Sequence, residues 1–309
     1  MGLKDTFNSQ GGKQLLRQYH KQGSLFTTIS EFLLLGKSNT ALEILRLTAS
    51  LKAVKHLKKK YNLDEFESNY VDKPHLSSNK IWVCWFQGLD KAPHIVRSCV
   101  QSIIDHNPSK EVVILSNDNI YDYIQFPDYI QEKINRGIIN GPHLSDLIRI
   151  ELLIKYGGTW IDATVFCSDV IPDYIFNNDL FMFQMLKPGK DGNSNTMHNW
   201  LINATSNNKL LLAEQYLLYK YWQDYNEVID YFIFNNLFNI VIEKYPKEWD
   251  KVYPVTNSTP HILWFKLFKE YDEDTWNCIK SQTSIHKLSH KISEDKYLIP
   301  NTYYERIVK

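Results

Sequence analysis

The residues best placed to do chemistry lie between His143 and Thr164, in the run HLSDLIRIELLIKYGGTWIDAT. Asp146 and Arg149 stand three positions apart, which on a helix puts them on one face. Their neighbours Leu144, Leu147, Ile148, Ile150, Leu152, Leu153 and Ile154 are all apolar. A carboxylate and a guanidinium in such company must pair or line a cavity, because burying either alone is costly. Two readings stay open: an internal salt bridge, or a pair of hydrogen-bonding groups presented to a polar ligand. Gly157-Gly158 then makes a tight turn into an apolar stretch that ends in Asp162. In an open sheet of parallel strands, ligands bind beyond the carboxyl ends of the strands. An acid at that position is placed to meet one.

The elements that must carry these residues follow from periodicity. Ile81 to Phe86 is a short apolar run, read as a buried strand. Pro93 opens a helix to about His106, with Ile95, Val96, Cys99, Val100, Ile103 and Ile104 on one side. Glu111 to Ser116 reads as a second strand, helical pieces follow to about Arg136, and Leu144 to Tyr156 is an apolar helix closed by the twin glycines. Thr159 to Phe166 is expected as a third strand and Leu180 to Leu186 as another. Between that strand and a helical stretch over Lys209 to Lys244 lies a polar loop, Lys187 to Asn195. A further helix is expected over His261 to Tyr271. Strand and helix in alternation imply an α/β fold with a mainly parallel central sheet flanked by helices.

The first seventy residues differ. Ser30 to Leu63 shows helical periodicity, with Lys52, Lys55, Lys58, Lys59 and Lys60 set among leucines. It reads either as a helix packed on the main domain with a solvated lysine face, or as a surface that adheres to anionic membrane. Asp72 to Asn79 is polar, contains Pro74 and reads as a linker, which gives a helical extension over 1–73 and a main domain over 74–309.

Composition narrows the function. The 309 residues carry 35 Lys plus Arg against 35 Asp plus Glu, so the formal charge is zero, and a nucleic-acid binder is not expected. A hydrophobic share of 43% is enough for a substantial core and excludes wholesale disorder. No apolar run approaches the ~18 residues of a membrane span. Cys84, Cys99, Cys167 and Cys278 form no Cys-x-x-Cys pair and read as free thiols of a reducing compartment. Short signatures of serine hydrolases, zinc proteases, P-loop enzymes and dinucleotide-binding folds are missing from the sequence.

The run SDLIRIELLIKYGGTWIDATV resembles the Ser-Asp-Leu-x-Arg … Leu-x-Tyr-Gly-Gly-x-[Tyr/Trp]-x-Asp motif of glycosyltransferase family 32, and most of all its bacterial capsular polysaccharide synthesis branch. The strand KIWVCWFQG followed by Ala92-Pro93 is similar to that branch's opening strand. Asp230 to Phe234 and Ile285 to Leu288 resemble its later blocks, so the likeness spans roughly residues 80–290.

The resemblance implies a GT-A type nucleotide-sugar-binding fold. It also implies retaining transfer of a hexose from a nucleotide sugar, UDP-linked by family habit, to a capsule or exopolysaccharide repeat unit. Carried over by position, Asp146 accepts hydrogen bonds from sugar or ribose hydroxyls, and Arg149 binds the donor sugar and reaches its phosphate. Trp85 lies against the uracil, Asn117 near the nucleoside, and Lys287 on the diphosphate. Asp230 contacts donor sugar or acceptor, with Asn235 and Asn236 on the same wall. Asp162 matches the first acid of an Asp-x-Asp metal motif, whose second acid is here Thr164. A divalent cation, Mn²⁺ or Mg²⁺, would then rest on Asp162, Thr164 and a C-terminal histidine, His286 or His290. The expected acceptor is a lipid-linked oligosaccharide at the cytoplasmic face of the plasma membrane, with peripheral membrane contact through the basic helix. The substitution at Thr164 also leaves open a non-catalytic carbohydrate- or nucleotide-binding protein that keeps the fold.

Overall fold

The computed structural model describes residues 12–185 and 196–309. The expected polar loop Lys187 to Asn195 lies outside the described residues. The strands are β1 (Lys80–Cys84), β2 (Glu111–Leu115), β3 (Gly158–Ile161), β4 (Val165–Cys167), β5 (Leu180–Gln184), β6 (Met197–Ala204) and β7 (Ile285–Lys287). Five of them form one sheet in the order β2–β1–β3–β6–β5, and β4 pairs with β7 in a second, small sheet. β1 runs parallel to both β2 and β3. β6 runs antiparallel to β3 and to β5, so it alone opposes the other four.

The helices of eight residues or more are α1 (Gly12–Lys21), α2 (Leu25–Leu35), α3 (Asn39–Lys60), α4 (His94–His106), α5 (Asp128–Asn135), α6 (Gly141–Tyr156), α7 (Lys209–Asp224), α8 (Ile233–Lys244) and α9 (Glu273–Gln282). Helices α6, α7 and α8 cover one face of the sheet and α4 and α9 the other, as strands apolar on both sides require. Along β1 the side chains alternate between two cores. Trp82 joins Trp160 and residues of α6, α7 and α8, while Ile81 and Val83 join residues of α4 and α9.

The turn from α6 into β3 needs both of its glycines. Gly157 and Gly158 have φ of 67° and 96°, in the left-handed region that side chains avoid. A Cβ on Gly158 would stand 2.5 Å from the Lys80 carbonyl oxygen. The absence of side chains therefore lets α6 drop straight into the strand beside β1.

Several expectations need correction. Thr159 to Phe166 is not one strand. The chain turns at Asp162–Thr164, where Asp162 N–H donates to Trp200 O and Val165 N–H to Asp162 O, and it continues as β4 in the other sheet. β6 was invisible in the sequence because His198, Asn199 and Asn203 interrupt its apolar pattern. In the fold Asn203 accepts from the Thr159 hydroxyl and donates to the Phe176 and Asn178 carbonyls, so its polarity is satisfied inside the sheet. The helical stretch Lys209 to Lys244 is broken into α7 and α8 by a loop over 225–232. The expected helix over His261 to Tyr271 shrinks to Ile262–Lys266.

The N-terminal helices also divide. The periodic run Ser30 to Leu63 breaks at Gly36, after which the Ser38 hydroxyl caps α3 by accepting from Ala41 N–H. The end of α3 and the residues after it, Leu57, Tyr61 and Leu63, enter the core shared with α6 to α8.

Candidate functional site

Helix α6 is anchored before it carries any function. Glu151 accepts hydrogen bonds from Gln215 and Tyr219 of α7, and Leu147, Ile148, Ile150, Leu152 and Leu153 are fully buried. This rigid helix presents Asp146 and Arg149 toward the carboxyl ends of β1 and β3.

The two side chains pair closely. Arg149 Nη1 donates to Asp146 Oδ1 at 2.6 Å, and the residues are only 5% and 7% exposed. The same guanidinium reaches out of the helix: Nη2 donates to Ser145 Oγ at 3.2 Å and lies 3.4 Å from Asp162 Oδ1. Its Cζ lies over the Trp160 ring, 5.1 Å from the centroid. Asp162, at the turn that ends β3, also accepts from Trp160 Nε1 at 3.0 Å. Asp146, Arg149 and Asp162 thus form one connected network.

A further cation completes it. Lys287 is held at the end of β7 by pairing with Val165, and the next residue, Leu288, donates its N–H to Thr164 O. Lys287 Nζ lies 3.3 Å from Asp162 Oδ2 and donates to Thr164 Oγ1 at 2.6 Å. Both oxygens of Asp162 therefore face positive or N–H groups, while its side chain stays 28% exposed. The network is buried at Asp146 and opens to solvent at Asp162.

Burial sets the electrostatics. It pushes the Asp146 carboxyl up to about 6, against the opposing pull of Arg149. It lowers the His143 imidazole to about 4; that ring sits with Nδ1 3.9 Å from Asp146 Oδ2. Behind Asp146, Glu214 of α7 is fully buried, and neither carboxyl oxygen has a hydrogen-bond partner among the described residues. Burial, and then the Asp146 charge, raise its pKa well above the ordinary carboxylate value, which favours the neutral acid in the wall of the site.

The expected site residues are distributed unevenly. Asp146, Arg149, Asp162, Thr164 and Lys287 come together. Trp85, just past β1, meets the His290 ring edge-on at 5.1 Å, so both stand at the rim. Asn117 is exposed and accompanies Trp85 at the ends of β1 and β2, its N–H donating to Phe86 O.

Asp230 does not join the network. It lies in the loop before α8, not on a helix, where it accepts from Gln22 Nε2 at 2.8 Å and from Phe232 N–H at 2.8 Å. Its role is to tie the α1–α2 corner to the start of α8. Asn235 and Asn236 are likewise spent on packing, against Met197 O and Ser50 Oγ. His286 points into the core between Phe166 and Trp276, with Nε2 at 2.9 Å from Ser168 Oγ, and burial lowers it to about 3.

The residues present do not fit the divalent cation that the resemblance implies. The position between Asp162 and Thr164 is spanned by the Lys287 ammonium, a like charge. Among the described residues no group of three His, Cys, Asp or Glu converges to hold a metal.

Sequence reasoning missed two participants. Asn199 donates from Nδ2 to Asp146 Oδ1 at 2.9 Å, but it stands in β6, a strand that the polar pattern concealed. Tyr231 packs on His143 with ring centroids 5.9 Å apart, and the charges of Asp146 and Asp162 help raise its hydroxyl pKa after burial does so. Tyr231 adjoins Asp230, in the block that the resemblance singled out.

Residues 38–307 match the family described as "Capsular polysaccharide synthesis protein". The chain is 29% identical over 113 residues to an O-glycosyltransferase, braB, of Annulohypoxylon truncatum, covering 34% of this chain and 27% of that protein. It is also 29% identical over 84 residues to the subversion of eukaryotic traffic protein A of Legionella pneumophila, covering 27% of this chain and 13% of that protein. The chain thus spans about a quarter or less of the curated relatives it matches. Among solved structures, the PaToxG glycosyltransferase superposes with a TM-score of 0.39 at 14% identity, covering 67% of this chain and 84% of that one.

Proposed function

The chain belongs to the capsular polysaccharide synthesis protein family, and we propose that it is a glycosyltransferase moving a hexose from a UDP-linked donor to a capsule or exopolysaccharide acceptor. The observation that carries the reading is the Asp146–Arg149–Asp162–Lys287 network at the carboxyl ends of β1 and β3. The end of an open α/β sheet is where such folds bind nucleotides. The GT-A assignment rests on the sheet order, with one opposed strand, and on the likeness of the central motif.

In this reading the donor lies across the network. Trp85 stacks on the uracil and Asn117 borders the nucleoside. Arg149 and Lys287 point N–H donors at the diphosphate, where negative charge grows as the glycosidic bond breaks. Asp146 and Asp162 accept hydrogen bonds from sugar hydroxyls and fix the ring. We assign no separate nucleophile, and departure and attack on one face of the sugar would then give retention. Burial disfavours charge on both His143 and Glu214 in the wall of the site.

The acceptor is proposed as a lipid-linked oligosaccharide, reached by peripheral contact with an anionic membrane. α2 supports this contact better than the lysine run does: Phe26, Leu33 and Leu34 are 85%, 78% and 82% exposed. No helix among the described residues is long and apolar enough to cross a membrane. The test of the enzyme reading is UDP-sugar hydrolysis by Asp162→Ala and Arg149→Ala. Each should lose the reaction, and full activity in either would remove that residue from the site.

A further inference from the structure

Resting on the nucleotide-sugar reading above, we propose that Lys287 takes the place of a divalent cation, so that this chain binds its donor diphosphate without metal. Three observations lead there. The Lys287 ammonium touches both groups of the expected metal pair, at 3.3 Å from Asp162 Oδ2 and 2.6 Å from Thr164 Oγ1. The hydroxyl of Thr164 stands where a second carboxylate would have been needed, and a neutral acceptor suits an ammonium better than a hard dication. The backbone fixes the arrangement: Lys287 pairs with Val165 across the small sheet, and Leu288 N–H bonds to Thr164 O at 2.9 Å.

The charges agree with this exchange. One carboxylate plus one ammonium sums to zero, as two carboxylates plus a dication would. An added Mn²⁺ would have to displace Lys287 and share Asp162 with the Arg149 guanidinium. In the transfer step the bond from the anomeric carbon to the diphosphate oxygen breaks, with its electron pair passing to that oxygen. The anomeric carbon bonds to the acceptor hydroxyl oxygen, or to water in hydrolysis, and the proton released passes to the departing diphosphate. Lys287 holds the growing charge by hydrogen bonding and gives up no proton.

The experiment is calorimetric titration of the full chain with UDP, once in EDTA and once in Mn²⁺, with wild type, Lys287→Ala and Lys287→Arg. Thermal unfolding serves as the check of folding. Wild type should bind UDP in EDTA with a Kd no weaker than in Mn²⁺, where free diphosphate draws off the ion, and UDP-sugar hydrolysis should persist in EDTA. Lys287→Ala should weaken binding in EDTA by about tenfold or more, and Lys287→Arg should restore most of it. The resonance signal of free Mn²⁺, already lowered by UDP alone because the diphosphate chelates the ion, should fall no further when wild type is added. Binding or hydrolysis that appears only with Mn²⁺ would overturn the proposal and leave the nucleotide-sugar reading intact, as would unchanged UDP binding by Lys287→Ala in EDTA. No binding of UDP in either condition would overturn that reading and this proposal together.

Discussion

Two charged helices stand out in the sequence, and the fold treats them oppositely. In α6 Asp146 and Arg149 are buried together, and both are aimed at a strand end. In α3 the lysines are mostly exposed and find partners one at a time. Lys58 pairs with Glu243, Lys60 with Asp224 at 3.1 Å, and Lys52 with the Thr27 hydroxyl. A buried charge has no water to fall back on, so its partner and direction are fixed by the fold. An exposed lysine is solvated wherever it points, and its pairing adds little. The number of charges in a segment is therefore a poor guide to function. Their company is the better one.

Removing Arg149 is the strongest way to break this contrast. Arg149→Ala leaves Asp146 buried beside a missing partner and should cost about 3–5 kcal/mol in urea unfolding. Lys58→Ala, in the exposed pair, should cost about 0–1 kcal/mol. Equal costs would show that α6 is no more demanding of its charges than α3.

Glu214 sharpens the same point through pH. Its folded-state pKa lies well above 4.5, so the stability contributed by the neutral acid is full below about pH 4.5. That stability is lost as pH rises through the folded pKa. Glu214→Gln should remove this decline from the pH dependence of unfolding. An unchanged decline would mean that Glu214 is already ionised in the fold.

Asp146 gives a smaller effect on activity. With its carboxyl near 6, UDP-sugar hydrolysis should rise as pH increases through about 6, because the ionised form pairs with Arg149 and accepts from hydroxyls. A rate flat across that range would remove Asp146 from the donor contacts. The smallest effect is expected at the surface. Lys55→Glu with Lys59→Glu should weaken sedimentation with anionic vesicles less than Phe26→Ser with Leu34→Ser does. The reverse order would place membrane contact on the lysine face after all.

Much of the site was legible because its signals are local. The spacing of Asp146 and Arg149, the apolar residues around them and the paired glycines are all contained in one short run. What escaped depends on distant partners. Asn199 reaches Asp146 from a strand whose other polar residues are satisfied only across the sheet. The turn at Asp162–Thr164 splits an apolar run that looks continuous, because β7, more than a hundred residues on, draws Val165–Cys167 into another sheet. Asp230 and His286 carry the right chemistry, but the fold spends one on joining helices and encloses the other in the core. Nothing local in the sequence marks that difference.

The most direct measurement is single-turnover hydrolysis of UDP-glucose and UDP-galactose by wild type and Asp162→Ala, with urea unfolding of both. Asp162 is partly exposed, so its loss should spare the fold while abolishing the reaction. Hydrolysis by a folded Asp162→Ala at the wild-type rate would show that the network at the end of β3 does not hold the donor.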